Sequence, residues 1–316
     1  MGGMSQREAM VVVGVALLAF ALFGRVRVLA LARDVPQGKL GGFRLAEIVW
    51  FLGVRYDQGL LHPRALAAMP TVSPPPADLL ATALNMLVCV EIGSGRYREA
   101  LEWRSRWDAH PSGDADALLR INEAEALACL GRFEESLSLV EPLQPESDWL
   151  RSARAAHRAW VLAELGRVEE ARAELALPEL RPGVSFPAKY VAELWFSRFA
   201  VAMAARDLDL ARSALDEAER FIVRESSRRN LHFYRGRLAV AEGRPTDAVE
   251  AFERGGQSVY RAQGGPSLVE WGDTLMQLGR TEEAREKWER CLSEDSQSPA
   301  AKTATERLGA LSRSGS

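Results

Sequence analysis

Leu275-Met276-Gln277-Leu278-Gly279-Arg280-Thr281-Glu282-Glu283-Ala284-Arg285-Glu286-Lys287-Trp288 is the stretch that decides the fold, because its landmarks recur five times upstream. A glycine or tight polar pair is followed, five positions after its first member, by a small residue. The six cases are Gly95-Arg96 with Ala100, Gly131-Arg132 with Ser136, Gly166-Arg167 with Ala171, Arg206-Asp207 with Ala211, Gly243-Arg244 with Ala248, and Gly279-Arg280 with Ala284. Successive starts lie 36, 35, 40, 37 and 36 residues apart. A chain that must reverse within a few residues ends its first helix at glycine or a tight polar turn. Where the returning helix touches the first most closely, only a small side chain fits. Four positions later Val140, Leu175, Leu215, Phe252 and Trp288 supply a large apolar group to fill the space beyond; the first unit has Arg104 there, with Trp103 and Trp107 as substitutes.

This period and pattern resemble the tetratricopeptide repeat, whose unit is 34 residues. Leu268, Trp271, Gly272 and Leu275 stand at the spacings of that family's first helix, and Trp195 does so in the fourth unit. The family's terminal proline is mostly missing, with Ser296 in its place in the last unit. The resemblance covers residues 80–298. It implies an all-α fold, a right-handed superhelical α-solenoid of six helical hairpins. Ser298-Pro299 then predicts a further helix, Ser being a good N-cap and Pro a good first position. That helix would cap the apolar end of the stack, as repeat arrays require. Pro178, Pro182 and Pro187 fall in the longest spacing and predict an extended loop between the third and fourth hairpins.

In the family, one face of each first helix lines a concave groove that holds peptides or helices. Carried over by spacing, that face is Asn85, Ile121, Asn122, Glu125, His157, Trp160, Phe196, Phe233, Tyr234 and Arg237. An aromatic lining with one fixed cation suits an amphipathic helix or apolar peptide. The alternative for each ring is packing against neighbouring helices. The lysines with which some relatives clamp a peptide carboxylate are absent, since Asn85, Cys89, Asn122, Ala153 and His157 hold those positions. Arg158, Arg198 and Arg235 recur eight residues before the turn, with Glu123 at that place in the preceding unit. Pairing of Glu123 with Arg158 is expected, the long stems covering apolar surface; the other reading of the series is a ladder for an acidic peptide.

Upstream of the repeats, Ala9 to Phe23 carries no charge. Extended to Ala32 it makes a helix of about 36 Å, enough to cross a bilayer, with Arg25 and Arg27 able to snorkel. Residues 1–34 are therefore read as an N-terminal apolar helix anchoring the chain in the membrane through residues 9–32. A cleaved signal peptide ending at Ala30-Leu31-Ala32 competes, but the two arginines interrupt it. So does a buried apolar helix docked on the rest of the chain. Only Arg7 is basic before the run, whereas Arg25, Arg27, Arg33, Lys39 and Arg44 follow it, which orients the repeats to the cytoplasmic side of the inner membrane. Residues 35–77 form a juxtamembrane helix, within Phe43 to Tyr56, and a linker broken by Pro63, Pro70 and Pro74-Pro75-Pro76. The repeats and capping helix occupy 78–316.

Composition excludes several classes. The 316 residues are 47% hydrophobic and 26% charged, the balance of a folded protein, and the Ala-, Leu- and Arg-rich usage fits a bacterial source. A net charge of −3 with no basic block does not suit nucleic acid. Cys89, Cys129 and Cys291 are too scattered for a disulfide framework or a zinc site and are read as reduced packing residues. His62, His110, His157 and His232 lack metal-ligand spacing, and no phosphate loop, dinucleotide fingerprint or nucleophile elbow is present. No metal, cofactor or small-molecule substrate is expected, and no catalysis. The expected role is a non-enzymatic scaffold or adaptor for a partner protein or peptide. An exported periplasmic assembly factor for a pilus or secretion machine, or a peptide-sensing regulator, are the alternatives.

Overall fold

The computed structural model describes residues 85, 88–89, 91–106, 112–176, 188–222, 225–256 and 264–314. Two compact units divide the chain, Met1–Leu87 with Arg104–Ala109 and Val88–Trp103 with His110–Ser316. The first lies almost wholly outside the described residues, and with it the expected anchor at 9–32, the juxtamembrane helix and the proline linker. The loop expected at Pro178 to Pro187 also lies outside them. Among the described residues there is no strand, and no helix is long and apolar enough to cross a membrane.

In the second unit, helical residues at 88–89 and 91–93 precede α1 (Tyr97–Arg106). Then follow α2 (Gly113–Cys129), α3 (Phe133–Val140), α4 (Asp148–Glu164), α5 (Val168–Leu175), α6 (Ala188–Ala204) and α7 (Leu208–Arg220). The remainder is α8 (Glu225–Ala241), α9 (Pro245–Gly255), α10 (Gly264–Gln277), α11 (Thr281–Glu294) and α12 (Pro299–Ser314). Adjacent helices pack as pairs: α2 on α3, α4 on α5, α6 on α7, α8 on α9 and α10 on α11. First helices also touch in succession, α2 to α4, α4 to α6, α6 to α8 and α8 to α10. The last helix starts at Pro299 as the Ser298-Pro299 pair predicts, and covers α10 and α11.

Each turn is built the same way. Gly95, Gly131, Gly166, Gly243 and Gly279 have φ between 72° and 77°, and Arg206 stands at 57° in the same place. The amide of that left-handed residue donates to the carbonyl three residues back, and the next amide reaches five back; Gly279 N to Met276 O (3.1 Å) and Arg280 N to Leu275 O (2.9 Å) are one instance. This is the paired C-terminal closure of a helix that satisfies carbonyls otherwise left over. The small residue then makes the second helix's first bond, as Ala284 N does to Arg280 O at 3.0 Å. All six small residues, Ala100, Ser136, Ala171, Ala211, Ala248 and Ala284, are 0% exposed. Arg132, Arg167 and Arg280 fork onto Glu135, Glu170 and Glu283 three residues on, at the surface. Where Asp207 replaces the arginine, its carboxylate caps α7 by accepting from Leu210 N (3.0 Å).

Volumes compensate across each pair. Phe252 and Trp288, the largest residues at the filling position, lie against Gly236 and Gly272 of the partner helix. A Cβ on either glycine would come within 2.5 Å of the ring facing it. Apolar clusters follow the pairs along the chain, from Ala117, Ile121 and Val140, through Phe199, Leu215 and Leu238, to Phe252, Trp271 and Trp288.

The two ends of this unit meet. Gln297 in the α11–α12 turn accepts from Arg98 N (2.9 Å) and donates to Glu99 (2.8 Å). A Cβ on Gly95 would lie 2.4 Å from the Glu294 carbonyl oxygen, and one on Gly131 would lie 2.7 Å from the Pro299 ring. Asp295, 1% exposed, lies here with the fully buried Tyr97. Burial above all, then the nearby Cys129 and Asp295, holds the proton on the Tyr97 phenol.

Candidate functional site

The face carried over from the family divides once the helices are packed. Asn85 is helical and partly exposed. Asn122 and Glu125 on α2, Trp160 on α4 and Arg237 on α8 are partly exposed. Ile121 (7% exposed), His157 (8%), Phe196 (6%), Phe233 (1%) and Tyr234 (6%) are buried. Phe233 packs on Phe252, their centroids 6.3 Å apart, and Phe252 stacks on Trp271 at 5.9 Å. Tyr234 lies against Phe196 (4.7 Å) and Phe199 (5.0 Å) of the preceding first helix. Phe196 and Tyr234 fill the seam between α6 and α8 while Phe233 packs inside the α8–α9 pair, so these rings present little of the face.

Polar groups not singled out by spacing join the exposed part. Trp160 Nε1 donates to Glu164 (3.1 Å), one turn further along α4. Arg237 Nε donates to Glu270 on α10 (2.9 Å), and Ser227 Oγ donates to Glu193 on α6 (3.2 Å). Burial works against the Arg237 charge, but Glu270 and Glu164 more than offset it and raise its pKa. Glu270 occupies in its hairpin the place that Tyr234 holds in the one before, nine residues ahead of the turn. That equivalence was the available signal for it; Glu164 and Glu193 fall outside the positions transferred.

The arginine series has separate partners. Arg158 bonds Glu174 on α5 (2.7 Å) rather than Glu123, because the second helix of its own hairpin lies nearer than the preceding first helix. Arg235 forks onto Glu219 at 2.8 and 3.4 Å, and Arg198 lies over the Trp195 ring at 4.5 Å. Stems along apolar surface with charges paired at the edge are the pattern expected of long cations in a helical stack. Cys129 and Cys291 are buried free thiols. Burial first, then Glu125 and Asp295, raises the Cys129 pKa well above the usual thiol value; burial, then Asp295, pushes Cys291 up to about 12. Neither is a thiolate at neutral pH.

Ser136 explains itself through His157. A hydroxyl at the small-residue position is 0% exposed, yet it donates to Ala124 O (2.7 Å) and lies 2.8 Å from His157 Nε2. Since the serine proton is used on the carbonyl, Nε2 must carry the imidazole hydrogen and donate. A second proton on the ring would be charged in an apolar seam, and burial lowers the His157 pKa from 6.5 to about 4. The unfolded chain therefore takes up this proton first, so stability present above pH 6.5 is lost as pH falls towards 4. Between pH 7.5 and 5 the loss from this residue is about 2 kcal/mol. Comparing urea midpoints of wild type and His157→Gln at the two pH values checks this: the variant should lose less stability than wild type on acidification. Equal losses would show that His157 titrates normally.

Among the described residues no group of three His, Cys, Asp or Glu side chains is placed to hold a metal ion. No family model matches the chain, and no curated protein matches it either.

Proposed function

We propose that the chain is a protein-binding scaffold, a right-handed superhelical solenoid of six tetratricopeptide-type hairpins closed by α12 and tethered to the inner membrane through residues 9–32. The repeats face the cytoplasm, and a partner peptide or helix lies along the face that the first helices share. What supports this reading is the sixfold recurrence of one turn, a left-handed residue followed by a small residue buried to 0%. First helices that pack in succession bring Asn122, Glu125, Trp160 and Arg237 to equivalent or adjacent places on that face. Large rigid side chains such as Trp160 contribute contact area at low entropic cost.

Affinity purification from detergent-solubilised native membranes identifies the partner, and a paired variant tests the face. Asn122→Ala with Trp160→Ala should lower the captured partner at least about tenfold, a usual result when a central aromatic contact is removed. Helix content by circular dichroism should not change, since neither side chain is buried. Undiminished capture by the variant would place the binding surface elsewhere. For the orientation, protease added to spheroplasts should spare the repeats; their digestion would move them to the periplasmic side.

A further inference from the structure

The end-to-end closure of this unit is built unlike the rest of the array. Elsewhere helices pack along their lengths, and none of the well-packed pairs joins α1 to α11 or α12. Contact across the closure is between turns. Gln297 bonds Arg98 N and Glu99, partners 199 and 198 residues away. Gly95 lies against the Glu294 carbonyl and Gly131 against the Pro299 ring, each too close for a Cβ. In a helical array each pair is held by its neighbours. The closure can therefore part while the pairs from α2 to α11 stay folded.

Closing also leaves one polar group unmet. Tyr97 is 0% exposed, and its hydroxyl has no hydrogen-bond partner among the described residues. Asp295 reaches the phenol from the opposite turn, is 1% exposed, and acts on it through its charge. Water would satisfy the hydroxyl once the turns separate. The phenol thus opposes closure, while Gln297 and the two glycine contacts favour it. Opposing contributions at one small contact are what a two-state element needs. We infer that the closure is a latch, which opens with the helix pairs folded and admits a partner chain sideways to the face that the first helices share. The inference rests on the scaffold reading above and adds how its partner enters.

The test uses the full chain in detergent micelles. Hydrogen exchange at residues 294–299 should slow at least about threefold in Tyr97→Phe, because the variant loses a hydroxyl that the closed state leaves unmet. Exchange in α6 to α9 should not change. Faster or unaltered exchange at 294–299 overturns the latch, since the phenol would then be bonded when closed. For entry, Arg98→Cys with Gln297→Cys is joined by a short bismaleimide, with Cys89→Ser removing the partly exposed native thiol. The probe is the detergent extract of native membranes, and the controls are the two single-cysteine chains treated alike. The joined chain should capture the partner at least about tenfold more slowly than either control, with equal helix content. Equal rates overturn the latch and leave the scaffold standing. If no chain, wild type included, captures a partner, the scaffold falls, and the exchange result still decides whether the closure opens.

Discussion

Gly272→Val is expected to unfold the α10–α11 pair locally, at a cost of about 3 kcal/mol or more. The added Cβ would lie 2.4 Å from the Trp288 indole nitrogen, and the indole is 2% exposed with Ala284 and Cys291 buried around it. No rotamer change relieves this, because the ring is held by the same cluster that the glycine completes. In other helices a glycine would be a weak point, and replacing it would gain helix propensity. Here the gain of up to about 1 kcal/mol is outweighed by overpacking. Gly272→Ala combined with Trp288→Leu restores the volume, and should return stability to within about 1.5 kcal/mol of wild type. Hydrogen exchange read separately for α10 and α11 is the appropriate measurement, since helix arrays need not unfold in one step. Normal protection of both helices in the single variant would mean that the indole has somewhere to go.

Gly95→Ala should be more damaging than Gly166→Ala, although the two glycines occupy equivalent turns at φ 73° and 72°. A left-handed backbone costs a residue with a Cβ about 1–2 kcal/mol. At Gly166 nothing lies within 4 Å of the new methyl, so the cost ends there. Arg206, at 57° in the fourth turn, demonstrates that a side chain is accepted at this place when nothing opposes it. At Gly95 the methyl would sit 2.4 Å from the Glu294 carbonyl oxygen, a backbone atom that cannot swing aside. The contact between the first turn and the α11–α12 turn must open, and with it the bonds from Gln297 to Arg98 and Glu99. Exchange at residues 294–299 should then accelerate at least about tenfold in Gly95→Ala and stay at the wild-type rate in Gly166→Ala, a factor of ten being about 1.4 kcal/mol of opening free energy. Equal exchange in the two variants would show that the closure contributes nothing to stability.

Much of the candidate face was legible and much was not. Spacing picked out one side of each first helix, and on it Asn122, Glu125, Trp160 and Arg237 are partly exposed. Spacing could not separate those from Phe196, Phe233 and Tyr234, because side chains one helical step apart differ only in whether the next helix covers them. Tyr234 and Phe196 cover one another where α6 meets α8, and Phe252 of α9 covers Phe233, contacts that exist only once those helices pack. Ser136 satisfies the small-residue position by size alone, and its bonds with Ala124 and His157 exist only where two helix pairs lie side by side. Glu123 was matched to Arg158 by neighbourhood of repeats, whereas the shorter path runs within the hairpin to Glu174.

By itself the sequence determined the helical hairpins, their turns and the six positions where no side chain larger than serine fits. Those features are local: a reversal needs a residue that accepts positive φ, and the contact nearest the turn is the same whatever else the chain does. Only the tertiary structure decided that Gly95 and Gly131 abut the far end of the unit while Gly166, Gly243 and Gly279 face open space. Those contacts join residues far apart in sequence and depend on how every intervening helix pair packs, which no single turn encodes.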